Sequence, residues 1–129
     1  MDTKIPAELG YTSEHEWVAV SGDTATVGIT AYAAEQLGDI VYVEPPAVGS
    51  TVTAGETCGE VESTKSVSDV YAPVSGEVAE INQNAVDDPE LVGSDPYGQG
   101  WLFKVSLSAA PDDLLTAEQY AEITGGDSE

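Results

Sequence analysis

The stretch GEVESTKSVSDVYAPVSG, residues 59–76, decides the fold of this chain. Residues typical of strands lie on both sides of a small polar segment that runs from Ser63 to Ser66. This pattern predicts two antiparallel strands, 57–63 and 67–71, joined by a tight turn. Lys65 then lies at the tip of the hairpin, where its side chain projects away from the sheet.

A weak internal symmetry surrounds this hairpin. The segments VTAG (52–55) and PVSG (73–76) each place a glycine near the start of a strand. Lys65 lies ten residues after Gly55 and eleven residues before Gly76. Two similar half-units related by a pseudo-twofold axis would form a small sandwich, with Lys65 at the bend between them.

The other segments also predict mainly strands, within one domain that spans residues 1–129. Further strands are predicted at 16–20, 24–29, 40–44, 51–53 and 76–81, and from residue 101 onward. The polar segment 82–95 is expected to hold at most one helical turn. The core is expected over about residues 5–124, and the tail 125–129 is expected to be disordered.

Two short helices are predicted from their capping residues. The first covers 31–37, with Thr30 as its N-cap and Gly38 as its end. The second lies near the C-terminus, where Thr116 and Gln119 form a capping box. Its residues Tyr120 and Ile123 share one face.

The charge excludes several classes of partner. The chain has 24 acidic residues, three lysines and no arginine, for a formal charge of −21. It lacks the cations needed to bind nucleic acid or an anionic membrane surface. Two interpretations of the acidity stay open: recognition by basic partner surfaces, or adaptation to a high-salt cytoplasm where screening removes the self-repulsion.

The sequence predicts a cytoplasmic protein without a metal site or catalytic residues. No apolar run is long enough to cross a membrane, and the first residues lack the pattern of a signal peptide. Cys58 is the only cysteine and fits a reducing compartment. His15 is the only histidine and has no spaced partner for zinc or for nucleophilic catalysis.

Lys65 is the candidate modification site. Lys4 lies in the N-terminal segment, and Lys104 lies in a strand whose alternation points it to solvent. A lysine at a hairpin tip is accessible to a modifying enzyme, and its deprotonated amine can form an amide with a carboxylic acid cofactor. The alternative is an ordinary surface lysine in an exposed turn.

The sequence resembles the glycine cleavage H proteins over roughly residues 5–124. The segments ESTKS (62–66), SD (68–69) and APVSGEV (72–78) resemble the family's lipoylation hairpin. Four further blocks resemble the family in order: YTSEHEWV (11–18), VGIT (27–30), LGDIVYV (37–43) and DPYGQGWL (95–102). The resemblance implies the barrel-sandwich hybrid fold of lipoyl and biotinyl domains, with short helices and a C-terminal helix. It also implies lipoic acid joined to Lys65 by an amide bond.

The resemblance implies a non-catalytic carrier, expected to be a monomer when free. Its arm would take the aminomethyl product of glycine decarboxylation from the pyridoxal-phosphate decarboxylase (P protein) to the tetrahydrofolate-dependent aminomethyltransferase (T protein). Dihydrolipoamide dehydrogenase (L protein) would then reoxidise the arm. A lipoate ligase or a lipoyl or octanoyl transferase would attach the lipoyl group.

The family's functional residues map onto several positions of this chain. Glu16 and Asp69 would hold the amine of the loaded arm by charge-assisted hydrogen bonds. Glu14 departs from the family pattern, which has a small polar residue there, and is either a further acidic contact or a solvent-facing residue. The lipoylation motif would also include three residues near Lys65: Glu62, Ser63 and Gly76.

Three alternatives stay open from the sequence. Thr64 and Ser66 flank the lysine where biotin carriers have methionine, so biotin is disfavoured. A lipoyl carrier that serves the 2-oxoacid dehydrogenases is the first alternative, and an unmodified acidic interaction module is the second. An enzyme is the third, and it is disfavoured because the sequence has no phosphate-binding glycine loop, metal cluster or nucleophile with a base.

Overall fold

The computed structural model describes residues 9–108 and 114–124, and these form two antiparallel sheets with four short helices. The elements in chain order are β1 (Gly10–Tyr11), β2 (Glu16–Ser21), β3 (Thr24–Ile29), α1 (Ala31–Leu37), β4 (Ile40–Glu44), β5 (Thr51–Val52), β6 (Thr57–Ser63), β7 (Val67–Tyr71), β8 (Gly76–Ile81), α2 (Gln83–Asp87), α3 (Glu90–Ser94), β9 (Phe103–Leu107) and α4 (Ala117–Thr124). No helix in these ranges is long and apolar enough to cross a membrane.

The two sheets divide the strands unequally. Within the described residues, one sheet has the order β1-β2-β3-β9-β8-β5, and the other has the order β4-β6-β7. Every neighbouring pair is antiparallel. The largest buried cluster is built mainly from β-branched and other aliphatic side chains of both sheets, together with Phe103. The smaller sheet contains the hairpin that the sequence predicts.

Most predicted elements are confirmed, and two parts of the chain differ from prediction. The segment 82–95 contains two short helices, α2 and α3, where at most one helical turn was expected. Strand β9 begins at Phe103 rather than at Trp101, and the short strand β1 was not predicted. The predictions for residues 1–8 and for the tail 125–129 lie outside the described residues.

The predicted helix caps are confirmed by their hydrogen bonds. The hydroxyl oxygen of Thr30 accepts from the amide of Ala33 at 3.2 Å, and Gly38 ends α1 with φ of 87°. At α4, the amide of Gln119 donates to the Thr116 hydroxyl, and the Gln119 side-chain oxygen accepts from the Thr116 amide. These bonds satisfy backbone groups that a helix end otherwise leaves unpaired.

The large sheet has a close contact between a tryptophan and a glycine. Trp17 on β2 faces Gly28 on β3 in the strand register, and a Cβ atom at Gly28 would lie 2.6 Å from the Trp17 indole nitrogen. That nitrogen donates to the carbonyl of Pro96 at 2.9 Å. Position 28 therefore requires glycine for space, since any side chain would displace the buried indole.

We predict that Gly28→Ala destabilises the protein by about 1–3 kcal/mol, because the added methyl group forces Trp17 away from its hydrogen bond. Urea unfolding followed by tryptophan fluorescence measures this change. Gly93→Ala is the matched control, because a Cβ there meets its nearest atom at an ordinary 3.8 Å within α3. Equal stability of both variants would contradict the assigned packing.

Candidate functional site

The hairpin turn between β6 and β7 is held by the Ser63 side chain. The Ser63 hydroxyl oxygen accepts from the amides of Lys65 at 3.2 Å and Ser66 at 3.1 Å, and the hydroxyl donates to the Ser66 carbonyl at 3.2 Å. The Ser63 amide also donates to that carbonyl at 2.8 Å. None of these bonds uses the side chain of Lys65, which is exposed at the tip. The turn therefore presents the lysine without depending on its amine.

The tip is anchored to the end of helix α1. The amide of Thr64 donates to the carbonyl of Asp39 at 3.0 Å. A Cβ atom at Gly38 would lie 3.6 Å from the Cε of Lys65, so the aliphatic part of the lysine passes beside this glycine. A cleft of about 700 Å³ opens next to the tip, lined by residues of α1, β4 and α3 and by Thr64. The backbone of the tip is thus fixed, while the lysine side chain faces open space.

The carboxyl group of Glu16 is buried at the junction of the two sheets. Its side chain is only 1% exposed. One oxygen accepts from the amide of Tyr71, at the end of β7, at 3.0 Å. The other oxygen accepts from the hydroxyl of Thr12 at 2.5 Å. These two bonds fix the carboxyl group between the start of the large sheet and the hairpin.

Burial raises the pKa of Glu16 from its usual value of 4.5 to about 7. The hydrogen bonds from Thr12 and Tyr71 act in the opposite direction, and the negative charge of Glu14 raises the pKa further. At neutral pH the group is therefore divided between its protonated and ionised forms. A cation placed beside it would favour the ionised form.

Glu14 and Glu16 line the same pocket, which has a volume of about 440 Å³. Its other walls come from the β1–β2 turn, the segment before β6, the end of β7 and Leu115. Asp69 does not line this pocket; it lies exposed on β7, two residues before Tyr71, and pairs in register with Glu60. The structure thus brings together two of the three predicted arm contacts and places the third on the same strand as the pocket wall.

The other two residues of the predicted motif have different surroundings. Glu62 is half-buried on β6, between Tyr42 and Val67 in the strand register. Gly76 begins β8, and a Cβ there would lie 2.1 Å from the carbonyl oxygen of Ser106. Glycine at position 76 is therefore required by strand packing, whatever its importance for modification.

Other reactive side chains do not form a second site. Burial raises the pKa of the half-buried Cys58 thiol to about 12, so it is not a thiolate at neutral pH. The nearby charge of Glu16 raises it further. In the two described ranges, no group of three or more His, Cys, Asp or Glu side chains is arranged to hold a metal ion.

Comparison with known proteins identifies the family. The profile of the glycine cleavage H-protein family matches residues 9–126. The chain belongs to this family. It is similar to the glycine cleavage system H protein of Thermobifida fusca, with 72% identity over 123 residues, which cover 95% of this chain and 98% of the relative. The relative from Streptomyces avermitilis is 60% identical over 121 residues, which cover 93% and 97%.

A solved structure agrees with this assignment. The crystal structure of a glycine cleavage system H protein from Mycobacterium marinum superposes with a TM-score of 0.88 at 52% identity, and the match covers 94% of this chain and 99% of that chain. The predicted mainly β fold of the lipoyl type is therefore confirmed. As a member of this family, the chain is a non-catalytic lipoyl carrier of the glycine cleavage system.

Sequence reasoning missed the residues that hold Glu16 in place. The Thr12 hydroxyl accepts from the amides of Glu14 and Glu16, each at 3.2 Å, in addition to its bond with the Glu16 carboxyl. The spacing of a threonine four residues before a glutamate is a weak signal for such a turn. The contact with Tyr71 uses a backbone amide, so its side chain gives no signal in the sequence.

We predict that Glu16→Gln changes the pH dependence of stability. The folded-state pKa of about 7 lies above the usual 4.5, so the folded protein keeps a proton that the unfolded chain loses. The stability this provides is fully present below pH 4.5 and is lost as the pH rises to about 7, an effect of about 2–3 kcal/mol. Glutamine does not titrate, so the variant lacks this decline.

Urea unfolding at a series of pH values between about 4 and 8 measures the difference between the two proteins. Glu14→Gln is the matched control: it removes an exposed carboxylate of the same pocket, and the decline persists because Glu16 is still buried. Parallel stability profiles for the wild type and Glu16→Gln would rule out a raised pKa at Glu16.

Proposed function

We propose that Lys65 is the residue of this carrier that bears the lipoyl group. The observation that supports this is the exposed lysine at the tip of a turn whose hydrogen bonds come from Ser63 and the backbone. Modification of the amine therefore costs the turn no bond. Of the other two lysines, Lys104 lies on β9 with its amine 5.1 Å from the ring centre of Trp101, and Lys4 lies outside the described residues.

The surroundings of Lys65 fit a long, uncharged arm. The hairpin is rigid, since both strands are paired in register and the tip is bonded to Asp39. The space beside it is open. When attached, a lipoyl group supplies a redox-active cyclic disulfide that accepts and gives up a one-carbon amine. A rigid hairpin keeps that group at a high local concentration for each enzyme that approaches the tip.

The carrier serves the glycine cleavage system and its P, T and L proteins, which are the decarboxylase, the aminomethyltransferase and the dihydrolipoamide dehydrogenase. Its own residues supply attachment and binding, and the enzymes supply catalysis. A lipoate ligase or a lipoyl or octanoyl transferase that modifies Lys65 belongs to the proposal, as does a monomeric free carrier.

We also propose that Glu16 binds the ammonium group of the cargo in its pocket. A buried carboxylate that already accepts two hydrogen bonds has lone pairs left for a third donor. A cation there would stabilise the ionised form through a charge-assisted hydrogen bond. Glu14 adds negative charge at the rim, and Asp69 lies on the strand that leads from Lys65 to the pocket wall.

Lys65→Arg is expected to abolish lipoylation, because a guanidinium group does not form the amide and the turn is otherwise unchanged. Intact mass after coexpression with a lipoylating enzyme measures the loss of one lipoyl increment. Glycine-dependent reduction of the carrier by the P protein should disappear with it. Lys104→Arg is the matched control and keeps both signals. A fully lipoylated Lys65→Arg protein would sink the assignment.

We propose further that the acidity of the chain is an adaptation to a high-salt cytoplasm. Glu44, Glu60 and Asp69 face one another across β4, β6 and β7 in the strand register. Like charges directly opposite on adjacent strands are destabilising. Salt at molar concentration shortens the screening length to about 3 Å, which is less than the spacing of such pairs.

Molar KCl is therefore expected to increase the free energy of unfolding. Unfolding followed by near-UV circular dichroism, in dilute buffer and in KCl, measures the increase. Glu60→Gln removes the central charge of the row, so it should stabilise the protein in dilute buffer and reduce the effect of salt. Identical stability of the wild type at both salt concentrations would eliminate the proposal.

A further inference from the structure

The C-terminal helix α4 contacts the segment that precedes Glu16 through one buried tyrosine. Tyr120 is fully buried, and its ring stacks on Tyr11 with centroids 4.9 Å apart and planes at 12°. Its hydroxyl oxygen lies 2.7 Å from Nδ1 of His15 and 2.7 Å from the hydroxyl oxygen of Thr30. One phenol group thus joins α4 to the β1–β2 turn and to the start of α1.

The hydrogens of this cluster form a consistent chain. The Thr30 oxygen already accepts from the amide of Ala33, and its hydroxyl hydrogen can be donated to Tyr120. Tyr120 then donates to Nδ1 of a neutral His15. Burial lowers the pKa of His15, which favours the neutral ring that this assignment requires, although the charge of Glu14 acts in the other direction.

His15 has a backbone conformation that needs support. Its φ is +73°, and it is the only non-glycine residue with a positive φ in the described part of the chain. A side chain in this left-handed region costs about 1–2 kcal/mol. The conformation is held by two backbone bonds, from the His15 amide to Thr12 and from the Thr30 amide to the His15 carbonyl, each 3.1 Å long. The ring is held by Tyr120 and packs 4.8 Å from Tyr32.

The left-handed residue directly precedes Glu16. The reversal of the chain at His15 lets the Glu16 side chain turn inward, to the Tyr71 amide and the Thr12 hydroxyl. Relaxation of His15 to the ordinary right-handed region would change the direction in which Glu16 leaves the turn. The geometry of the pocket therefore depends on a contact made by the last described helix.

We propose that Tyr120 is a positioning residue for Glu16, and that it acts by holding His15 in its left-handed conformation. This inference rests on the proposed function of Glu16 as the group that binds the cargo's ammonium. Tyr120 touches no cargo itself; it orients the acidic residue through the ring and backbone of His15. The C-terminal helix is thereby part of the binding site, although it does not line the pocket.

The test is the Tyr120→Phe variant of the full-length lipoylated protein, which keeps the stacked ring and removes the hydroxyl. Two readouts report on the mechanism: the backbone coupling constant of His15, which depends on φ, and the carboxyl carbon titration of Glu16 by NMR. The coupling constant is expected to shift toward an average of conformations. The Glu16 midpoint is expected to fall from about 7 by roughly one pH unit, as water reaches the loosened carboxyl group.

Other titrating groups near Glu16 must be followed in the same spectra. They are Glu14 and His15 in the β1–β2 turn, Cys58 on β6 and Tyr120 itself on α4. Tyr97→Phe is the matched control, since it removes a tyrosine hydroxyl that accepts from the Ala31 amide at 3.1 Å. It should lower global stability and leave both readouts unchanged.

A double-mutant cycle separates positioning from general destabilisation. Glycine tolerates a positive φ without strain, so in a His15→Gly background Tyr120→Phe is expected to have no further effect on the Glu16 titration. The inference is overturned if Tyr120→Phe changes stability alone, or if Tyr97→Phe shifts Glu16 equally. Failure of Glu16 to bind cargo would appear separately, as unchanged glycine-dependent loading of Glu16→Gln.

Discussion

The buried carboxyl group of Glu16 is the constraint on which the arrangement of this protein depends. It lies on the large sheet and accepts a hydrogen bond from the last residue of the lipoyl hairpin, so one side chain joins the two sheets. Burying an acid is costly unless its oxygens are bonded, and here both are. The β1–β2 turn, the left-handed His15 and the Tyr120 hydroxyl can all be understood as support for this one group.

The hairpin has the opposite design, because its functional residue is left exposed. Ser63 and the backbone close the turn, Asp39 anchors it, and Lys65 contributes its amide but not its amine. The strand β7 then runs from this tip to the pocket at Tyr71. Attachment and cargo binding are therefore placed at two ends of one strand, which fits a carrier that moves its cargo between enzymes and does no chemistry itself.

The sequence predicted the hairpin and most strands, because alternation, turn residues and helix caps are local signals. It also identified Lys65 and Glu16 through the resemblance of ordered motifs. It did not predict α3, whose residues Glu90 to Ser94 include a glycine and carry weak helical signals. Nor did it predict the bonds from the Tyr71 amide and the Tyr120 hydroxyl to the Glu16 region. Those contacts join residues 55 and 105 positions apart, so only the tertiary fold brings them together.

The most direct test of the central claim is the intact mass of the protein purified from its native cells, with peptide mapping across residues 62–66. The account predicts one lipoyl increment, localised to Lys65, and no increment on Lys104. Native protein in which Lys65 is entirely unmodified would contradict the account, and the chain would then be an acidic binding module that has kept the carrier fold.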